Sequence, residues 1–227
     1  MKPIFLICLA LILLAMSTSA CNPESDTMNK TSILDNPVCS PPCWHNIIPG
    51  RTSRDELFAA LASIDNLDQS SIVQQDYPNN KDFNYFIHGN LYLDADSSTL
   101  VSAYTLDEIV IELDFFGNLN LTLEEAIEGF GEPEGVLIYH SSHGYMVINF
   151  LIPSKGIVFS FNDIGEIWKP TSIIPKLEIR SINYFSPNYY EKILEMGWFS
   201  EGKWDYQESV ERIKPWKGYG NIEELYR

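Results

Sequence analysis

The chain has 227 residues and a formal net charge of −16 at pH 7. Such an acidic surface repels phosphate backbones and anionic lipid headgroups, so the composition argues against nucleic-acid binding and against membrane docking by charge. A hydrophobic content of 45% and an aromatic content of 13% are typical of a globular protein, long enough for one domain or two small ones. Solubility alone is a sufficient reason for the acidity.

Residues 1–20 are predicted to be a secretory signal peptide. The chain starts with a positive charge at Lys2, continues with an apolar run over 4–16, and has small residues just before Cys21. A cysteine at this point resembles a bacterial lipobox, which implies diacylation of Cys21 and an exported protein anchored at the cell membrane or outer surface. Simple cleavage after Ala20, giving a free secreted chain, is an alternative. An uncleaved anchor would need about 20 apolar residues, more than this run contains.

Residues 21–38 are polar, show no apolar period and predict a flexible tether. Cys39 and Cys43 follow as an even pair, which predicts a structural disulfide in an oxidising compartment. The loop it closes is short, so its stabilisation is about 2 kcal/mol and its main role would be to stiffen the entry into the domain. A redox-active pair is less favoured, because three residues separate the cysteines rather than two, and a metal site would have only His45 as a nearby third ligand.

Two capping boxes mark predicted helix starts. Ser53 lies three residues before Glu56, and Thr122 lies three residues before Glu125. At this spacing the hydroxyl and the carboxylate satisfy backbone N–H groups that have no partner at the start of a helix. We therefore expect one short helix after Ser53 and a second after Thr122.

Each predicted helix is followed by runs rich in β-forming residues. These runs are 71–77, 83–88, 91–94, 100–106, 109–116, 135–139, 145–152 and 156–161. In 109–116 apolar side chains alternate with Glu112 and Asp114, which predicts that the two acids share the face opposite the apolar one. The sequence predicts an α+β fold of two helix-plus-antiparallel-meander units with an aromatic-rich C-terminal extension. The predicted segments are 39–116 for the first unit, 117–168 for the second unit and 169–227 for the extension.

Short motifs in both units resemble known families. Residues 48–53 (IPGRTS), before the first predicted helix, and 130–133 (FGEP), at the end of the second, resemble the small outer-membrane lipoproteins of the SmpA/OmlA (BamE) family. The arrangement also resembles the tandem-repeat fold of β-lactamase inhibitor proteins, and residues 39–50 resemble the opening of uncharacterised exported bacterial lipoproteins. These resemblances imply a repeat fold and a binding role, and they carry over no catalytic residue.

Aromatic residues crowd the C-terminal extension, and Trp216 and Tyr219 form its most distinctive short run. Trp and Tyr dominate binding hot spots, so these two side chains are candidate ligand-binding residues, for a sugar or for a protein. The alternative is that such rings cover the sheet and the end of the domain, since each buries about 150–250 Å².

The sequence contains no motif that marks a catalytic, cofactor or metal site. His140 and His143 could supply two metal ligands, but they fall in a predicted hairpin turn without a carboxylate nearby, and His45 and His88 stand alone. Neither a Gly-x-Ser-x-Gly nucleophile motif nor a Gly-rich phosphate loop is present. We therefore predict no catalytic residue, no metal and no cofactor.

The leading functional hypothesis is a non-enzymatic, lipid-anchored envelope protein that binds or scaffolds another macromolecule, most simply a protein of the envelope. The alternative is an extracytoplasmic module that binds a small molecule or glycan through the aromatic C-terminal segment. A hydrolase is the least favoured hypothesis. It is kept because active sites assemble from residues distant in sequence. A buried carboxylate or histidine with a shifted pKa, lying in a cleft, would favour that case.

Overall fold

A nine-stranded antiparallel sheet forms the centre of the protein, with strand order β1-β2-β3-β4-β9-β7-β6-β5-β10. This computed structural model describes residues 33–34, 39–78, 80–93, 98–162, 171–197 and 204–226. The strands are β1 Val73–Asp76, β2 Tyr85–Tyr92, β3 Ser98–Leu106, β4 Ile109–Thr122, β5 Gly135–His140, β6 Met146–Ile152, β7 Ile157–Asn162, β8 Ser172–Ile173, β9 Glu178–Phe185, β10 Lys214–Pro215 and β11 Gly220–Asn221. A separate two-stranded sheet pairs β8 with β11.

Short helices connect and cover the strands. They are α1 Arg54–Ala62, α2 Leu123–Phe130, α3 Tyr190–Glu195, α4 Tyr206–Arg212 and α5 Ile222–Tyr226, with 3-10 turns at Gln69–Ser71, Pro153–Lys155 and Pro187–Tyr189. Both predicted capping boxes are confirmed, since Ser53 caps α1 with Glu56 and Thr122 caps α2 with Glu125. No helix within the described ranges has the length and apolarity that crossing a bilayer requires.

The prediction of two separate helix-plus-meander units is wrong, and with it the repeat fold implied by the family resemblance. Strands β1 to β4 form one meander and β5 to β7 form another, but β9 lies between β4 and β7 and pairs with both. Strand β4 also runs through the boundary predicted between residues 116 and 117. An unpaired edge on each meander would leave backbone N–H and C=O groups without partners, and insertion of β9 satisfies both edges at once.

The core face of the sheet packs against α1, α2 and α5. It is a continuous layer of apolar side chains, to which α1 contributes Leu57 and Leu61 and α2 contributes Leu123, Ala126 and Phe130. Rings form the centre of this layer, with the Phe130 and Phe159 centroids 5.7 Å apart and the Phe150 and Phe159 centroids 5.4 Å apart. Rings at these separations add to the stabilisation that burial alone provides.

The opposite side, here called the second face, has a different character at each end. Over β5, β6, β7 and β9 it carries a smaller apolar cluster that packs against Ile193 and Leu194 of α3 and against Tyr206 of α4. Toward β2, β3 and β4 it carries polar and aromatic side chains, and several of these are exposed. The second-face side chains of β2, β3 and β4 are called the open face below.

Candidate functional site

The open face presents large apolar side chains to solvent. Alternation along each strand places Tyr92 of β2, Leu100 of β3 and Phe116 of β4 on the side opposite the core, and they are 45%, 36% and 37% exposed. Leu100 and Phe116 are paired directly across the two strands. Exposed apolar side chains that adjoin one another are a feature of interaction surfaces, whereas single ones are ordinary.

A row of polar side chains crosses the open face beside this apolar group. His88 of β2 pairs with Ser102 of β3, Ser102 pairs with Asp114 of β4, and Asp114 pairs with Asn183 of β9. Directly opposed residues on neighbouring strands place their Cβ atoms about 5 Å apart. The row therefore gathers a histidine, a hydroxyl, a carboxyl and an amide. No hydrogen bond joins Ser102 to His88 or to Asp114 in the described residues, so the row lacks the nucleophile–base contact of a hydrolase.

Glu112 and Asp114, called the acid pair, are the most unusual groups on this face. Glu112 is 1% exposed, and Asn183 Nδ2 donates a hydrogen bond of 2.8 Å to its Oε1. Burial raises the pKa of Glu112 well above its usual range, and the negative charge of Asp114 adds to the rise. Burial also raises the pKa of Asp114 to about 7. Among the described residues, no positively charged side chain influences the pKa of either carboxyl.

One oxygen of each carboxyl lacks a hydrogen-bond donor. Glu112 Oε2 and Asp114 Oδ1 are both buried, and no described residue donates to them. Leaving a buried acceptor unsatisfied costs about 1–3 kcal/mol, and more when the group is charged. The unsatisfied oxygens of the acid pair therefore lower the stability of the folded protein.

A cluster of rings adjoins the acid pair. The aromatic cluster consists of Tyr77, Phe83, Phe86 and Tyr104. The ring centroids are 5.1 Å apart for Tyr77 and Phe83, 5.2 Å apart for Phe83 and Tyr104, and 4.8 Å apart for Phe86 and Tyr104. Tyr104 is opposite Glu112 in the β3–β4 register, and burial raises the pKa of its phenol, with a further rise from the charges of Glu112 and Asp114. Rings and carboxyls thus belong to one site.

An ion pair joins α3 to the turn before β2. Lys192 Nζ of α3 lies 2.6 Å from Asp82 Oδ1, and Asp82 immediately precedes Phe83 of the aromatic cluster. Both side chains are partly shielded from solvent. The contact joins α3 to the turn that carries Phe83, and it pairs the positive charge of Lys192 with Asp82.

The sequence pattern did not identify the acid pair as a site. Alternation placed Glu112 and Asp114 on one face correctly, but a carboxylate on the non-core face of a strand is ordinarily solvated. Tyr104 of β3 is opposite Glu112 and Asn183 of β9 is opposite Asp114, and only the sheet order brings these neighbours alongside the two acids. The available signal was the pair of acids itself, at alternate positions of a strand rich in β-branched and aromatic residues.

The two candidate ligand-binding residues of the C-terminal segment lie on the other side of the molecule, next to the core face. Trp216 is half-buried, and its ring centroid is 5.7 Å from that of Phe150 and 6.3 Å from that of Tyr226. Tyr219 is 41% exposed, with its ring edge-on to Trp216 at 5.9 Å. The structure brings the two residues together, and it does not bring them to the open face.

The predicted disulfide residues are bonded in the structure. Cys39 and Cys43 have an S–S distance of 2.00 Å, and the short loop between them leads into Trp44, which packs edge-on against Phe115 of the core at 5.0 Å. The lipidation candidate Cys21, the signal peptide 1–20 and most of the tether 21–38 lie outside the described residues. Those predictions remain predictions.

The histidines do not assemble a metal site in the described ranges. His140 ends β5 and His143 lies in the β5–β6 turn, beside Tyr145 with ring centroids 6.2 Å apart. His45 packs against Trp44, and burial lowers its pKa. Within the same ranges, no group of three or more His, Cys, Asp or Glu side chains is placed to hold a metal ion.

Comparison with known proteins finds no family model that matches the chain, and no curated protein and no solved structure that matches it. The resemblance to SmpA/OmlA-like lipoproteins therefore rests on the short motifs alone. Function has to be argued from the chemistry of the open face.

Proposed function

We propose that this protein is a non-catalytic binding protein of the cell envelope, tethered through a lipid on Cys21, that binds a protein partner on the open face. The observation that carries the proposal is the exposed and directly paired side chains of Leu100 and Phe116, which share a face with exposed Tyr92 and lie beside a polar row. A patch of this kind, apolar with a polar margin, is the usual composition of a protein interface.

The charge of the molecule favours a basic partner. A net charge of −16 attracts cationic surfaces and accelerates their association, while it repels nucleic acids. The two carboxyls of the acid pair lie within the same face, next to the apolar patch. The partner that fits this surface is a protein segment with both apolar and basic side chains.

Binding is favoured over hydrolysis by the arrangement of the polar row. The raised pKa values of Glu112 and Asp114 meet one criterion for an acid–base site. A hydrolase of the nucleophilic type also needs a base that contacts its nucleophile, and Ser102 has no such contact with His88. An interface needs no such contact, and the open face has the exposed apolar area that an interface uses.

Site-specific photocrosslinking in native membranes tests the proposal. A benzoylphenylalanine at position 116 is expected to capture a partner protein, whereas the same probe at Val210, which is 39% exposed on α4, is the matched control. Capture at both positions alike, or at neither, would contradict binding on the open face. The mass of the mature N-terminus tests the tether, because an unmodified Cys21 would place the protein in solution.

A second candidate function uses Tyr219 and Trp216. The specific observation in its favour is that Tyr219 is exposed while Trp216 holds it edge-on, an arrangement able to stack against a sugar ring. A glycan array with the full chain separates the two functions. Glycan binding that is lost on Tyr219→Ala and unaffected by Phe116→Ser would favour this candidate over the first.

A further inference from the structure

The unpaired oxygens of the acid pair require a hydrogen-bond donor from outside the described residues. Glu112 Oε2 and Asp114 Oδ1 are buried and receive no hydrogen bond, although Asn183 satisfies the other oxygen of Glu112. Protonation of the carboxyls does not remove the problem. It cancels the charge, but it adds an O–H donor that then needs an acceptor of its own.

A metal ion is a poor fit to this site. Calcium takes six to eight oxygen ligands and magnesium demands an octahedral set, whereas the acid pair offers two carboxyls and an amide. In the described ranges no third His, Cys, Asp or Glu joins Glu112 and Asp114 in a metal-binding group. A donor that brings several N–H groups of its own satisfies the site with fewer protein ligands.

The aromatic cluster adds a second, independent preference for an organic cation. The face of an aromatic ring attracts an ammonium or guanidinium group through the ring quadrupole, most strongly where water is excluded. Tyr104 links this cluster to the acid pair, since it is opposite Glu112 and contacts both Phe83 and Phe86. Rings on one side and carboxyl oxygens on the other are a complementary environment for a cationic side chain.

Access to the site from the open face is through Asp114, because Glu112 is 1% exposed. Asp114 is half-buried as a residue, and its strand neighbour Phe116 is exposed. A partner segment lying on Phe116 and Leu100 would therefore pass beside Asp114. Lys192 of α3 is paired with Asp82 at 2.6 Å, and it is not among the influences on the pKa of either carboxyl.

We propose that the acid pair and the aromatic cluster form a binding site for a cationic side chain, the ammonium of a lysine or the guanidinium of an arginine, carried by the protein that binds the open face. This inference rests on the proposed function and names the chemistry of its partner. Glu112 Oε2 and Asp114 Oδ1 accept hydrogen bonds from the cation, and the rings of Phe86 and Tyr104 contact its apolar stem and its charge.

Titration calorimetry of the full chain in detergent with a trilysine peptide tests the proposal. The matched probe is trilysine with acetylated side chains, which has the same length but no side-chain charge. Trilysine is expected to bind, and acetylation is expected to weaken binding at least about tenfold, because each buried charge pair that loses a partner costs that much or more. Equal binding of both peptides would overturn the proposal, as would no binding of trilysine.

Amide variants locate the site. Asp114→Asn and Glu112→Gln are each expected to weaken trilysine binding at least about tenfold. Asp107→Asn is the matched control, because it removes the same charge from the exposed β3–β4 turn and is expected to change affinity less than about twofold. Equal losses in Asp114→Asn and Asp107→Asn would mean general charge attraction and would refute a specific site.

Melting temperatures show whether a loss of binding in a variant is caused by misfolding. Asp114→Asn keeps the shape of the side chain and removes a buried group that ionises near pH 7, so above that pH its melting temperature is expected to equal or exceed that of the unchanged protein. Glu112→Gln also keeps the side-chain shape, and its melting temperature shows whether it remains folded. Loss of binding with stability kept or increased marks a residue held for function.

Photocrosslinking at position 116 separates the two proposals. Capture that persists in Asp114→Asn, together with unchanged trilysine affinity, refutes the cation site alone, whereas absence of capture in the unchanged protein refutes the open face itself.

Discussion

Asp114→Asn is expected to remove much of the loss of stability that this protein suffers as the pH rises toward neutrality. Asp114 is half-buried as a residue, its Oδ1 has no donor in the described residues, and burial raises the pKa of its carboxyl to about 7. An asparagine has the same shape, can still accept a hydrogen bond from the backbone of Phe115, and is never ionised. The substitution therefore isolates the ionisation of one group.

The expected magnitude follows from the pKa of Asp114. Burial raises it from the usual 3.8 to about 7, against the opposing effect of the Phe115 backbone hydrogen bond. A carboxyl whose pKa is higher in the folded state holds its proton more tightly there than in the unfolded chain, so its contribution is most favourable at low pH and is lost as the pH rises from about 4 to about 7. A rise from 3.8 to about 7 corresponds to about 4 kcal/mol over that window.

Glu112 changes the result in a known direction. Its pKa is raised by burial and further by the charge of Asp114, so removal of that charge lowers it. The pH dependence that remains in the free energy of unfolding of the variant then comes from Glu112. Carboxyls with lowered pKa values, such as Glu56 and Asp68 at their capping positions, act with the opposite sign but equally in both proteins.

Urea unfolding at about pH 4 and about pH 8 measures the effect. The free energy of unfolding of Asp114→Asn should equal that of the unchanged protein at the lower pH and exceed it by up to about 4 kcal/mol at the higher pH. Asp107→Asn, in the exposed turn, should show no such pH-dependent gain. A gain of the same size at both pH values would show that Asp114 titrates in its ordinary range, and the argument for a buried acid pair would be refuted.

Two further comparisons test the packing. Gly144→Ala and Gly156→Ala both place alanine at positive φ, at 84° and 69°, and this backbone conformation costs about 1 kcal/mol in each variant. Only at Gly156 would the new Cβ also collide with a backbone oxygen of β9. Urea unfolding should therefore show Gly156→Ala to be several-fold more destabilising, and equal losses would argue against the close approach of the β6–β7 turn to β9. Trp216→Ala should lower the free energy of unfolding by about 3 kcal/mol because its ring packs on the core, whereas Tyr219→Ala should change it by less than about 0.5 kcal/mol. A small effect of Trp216→Ala would instead favour a ligand-binding role for that ring.

Local elements of the fold could be predicted from the sequence because their causes are local. The capping boxes at Ser53 and Thr122 fix where α1 and α2 begin, and Gly131 at positive φ ends α2. The alternating run of apolar residues from Ile109 predicted the face of β4 that enters the core, and Leu113 and Phe115 are buried there. Each of these features depends on residues within one or two turns or strand repeats.

The arrangement of strands could not be predicted in the same way. A run of strand-forming residues gives no information on which other run it will pair with. The segment that became β9 was predicted to be part of a C-terminal extension, yet it joins the two meanders by pairing with β4 and β7. Long-range pairing is decided by which edges remain unsatisfied, and that is a property of the whole sheet.

The acid pair shows why a failure of local rules can itself be informative. Alternation assigns Glu112 and Asp114 to the non-core face, where solvent would normally keep their pKa values ordinary and their oxygens hydrated. The sheet order instead places Tyr104 and Asn183 beside them, so two carboxyls are buried and one oxygen of each is left without a hydrogen-bond donor, at a cost to stability. Sequences that fold well agree with local rules almost everywhere, and the positions that break them are commonly those kept for function. That reasoning makes the acid pair, rather than the aromatic C-terminal run, the first place to look for what this protein binds.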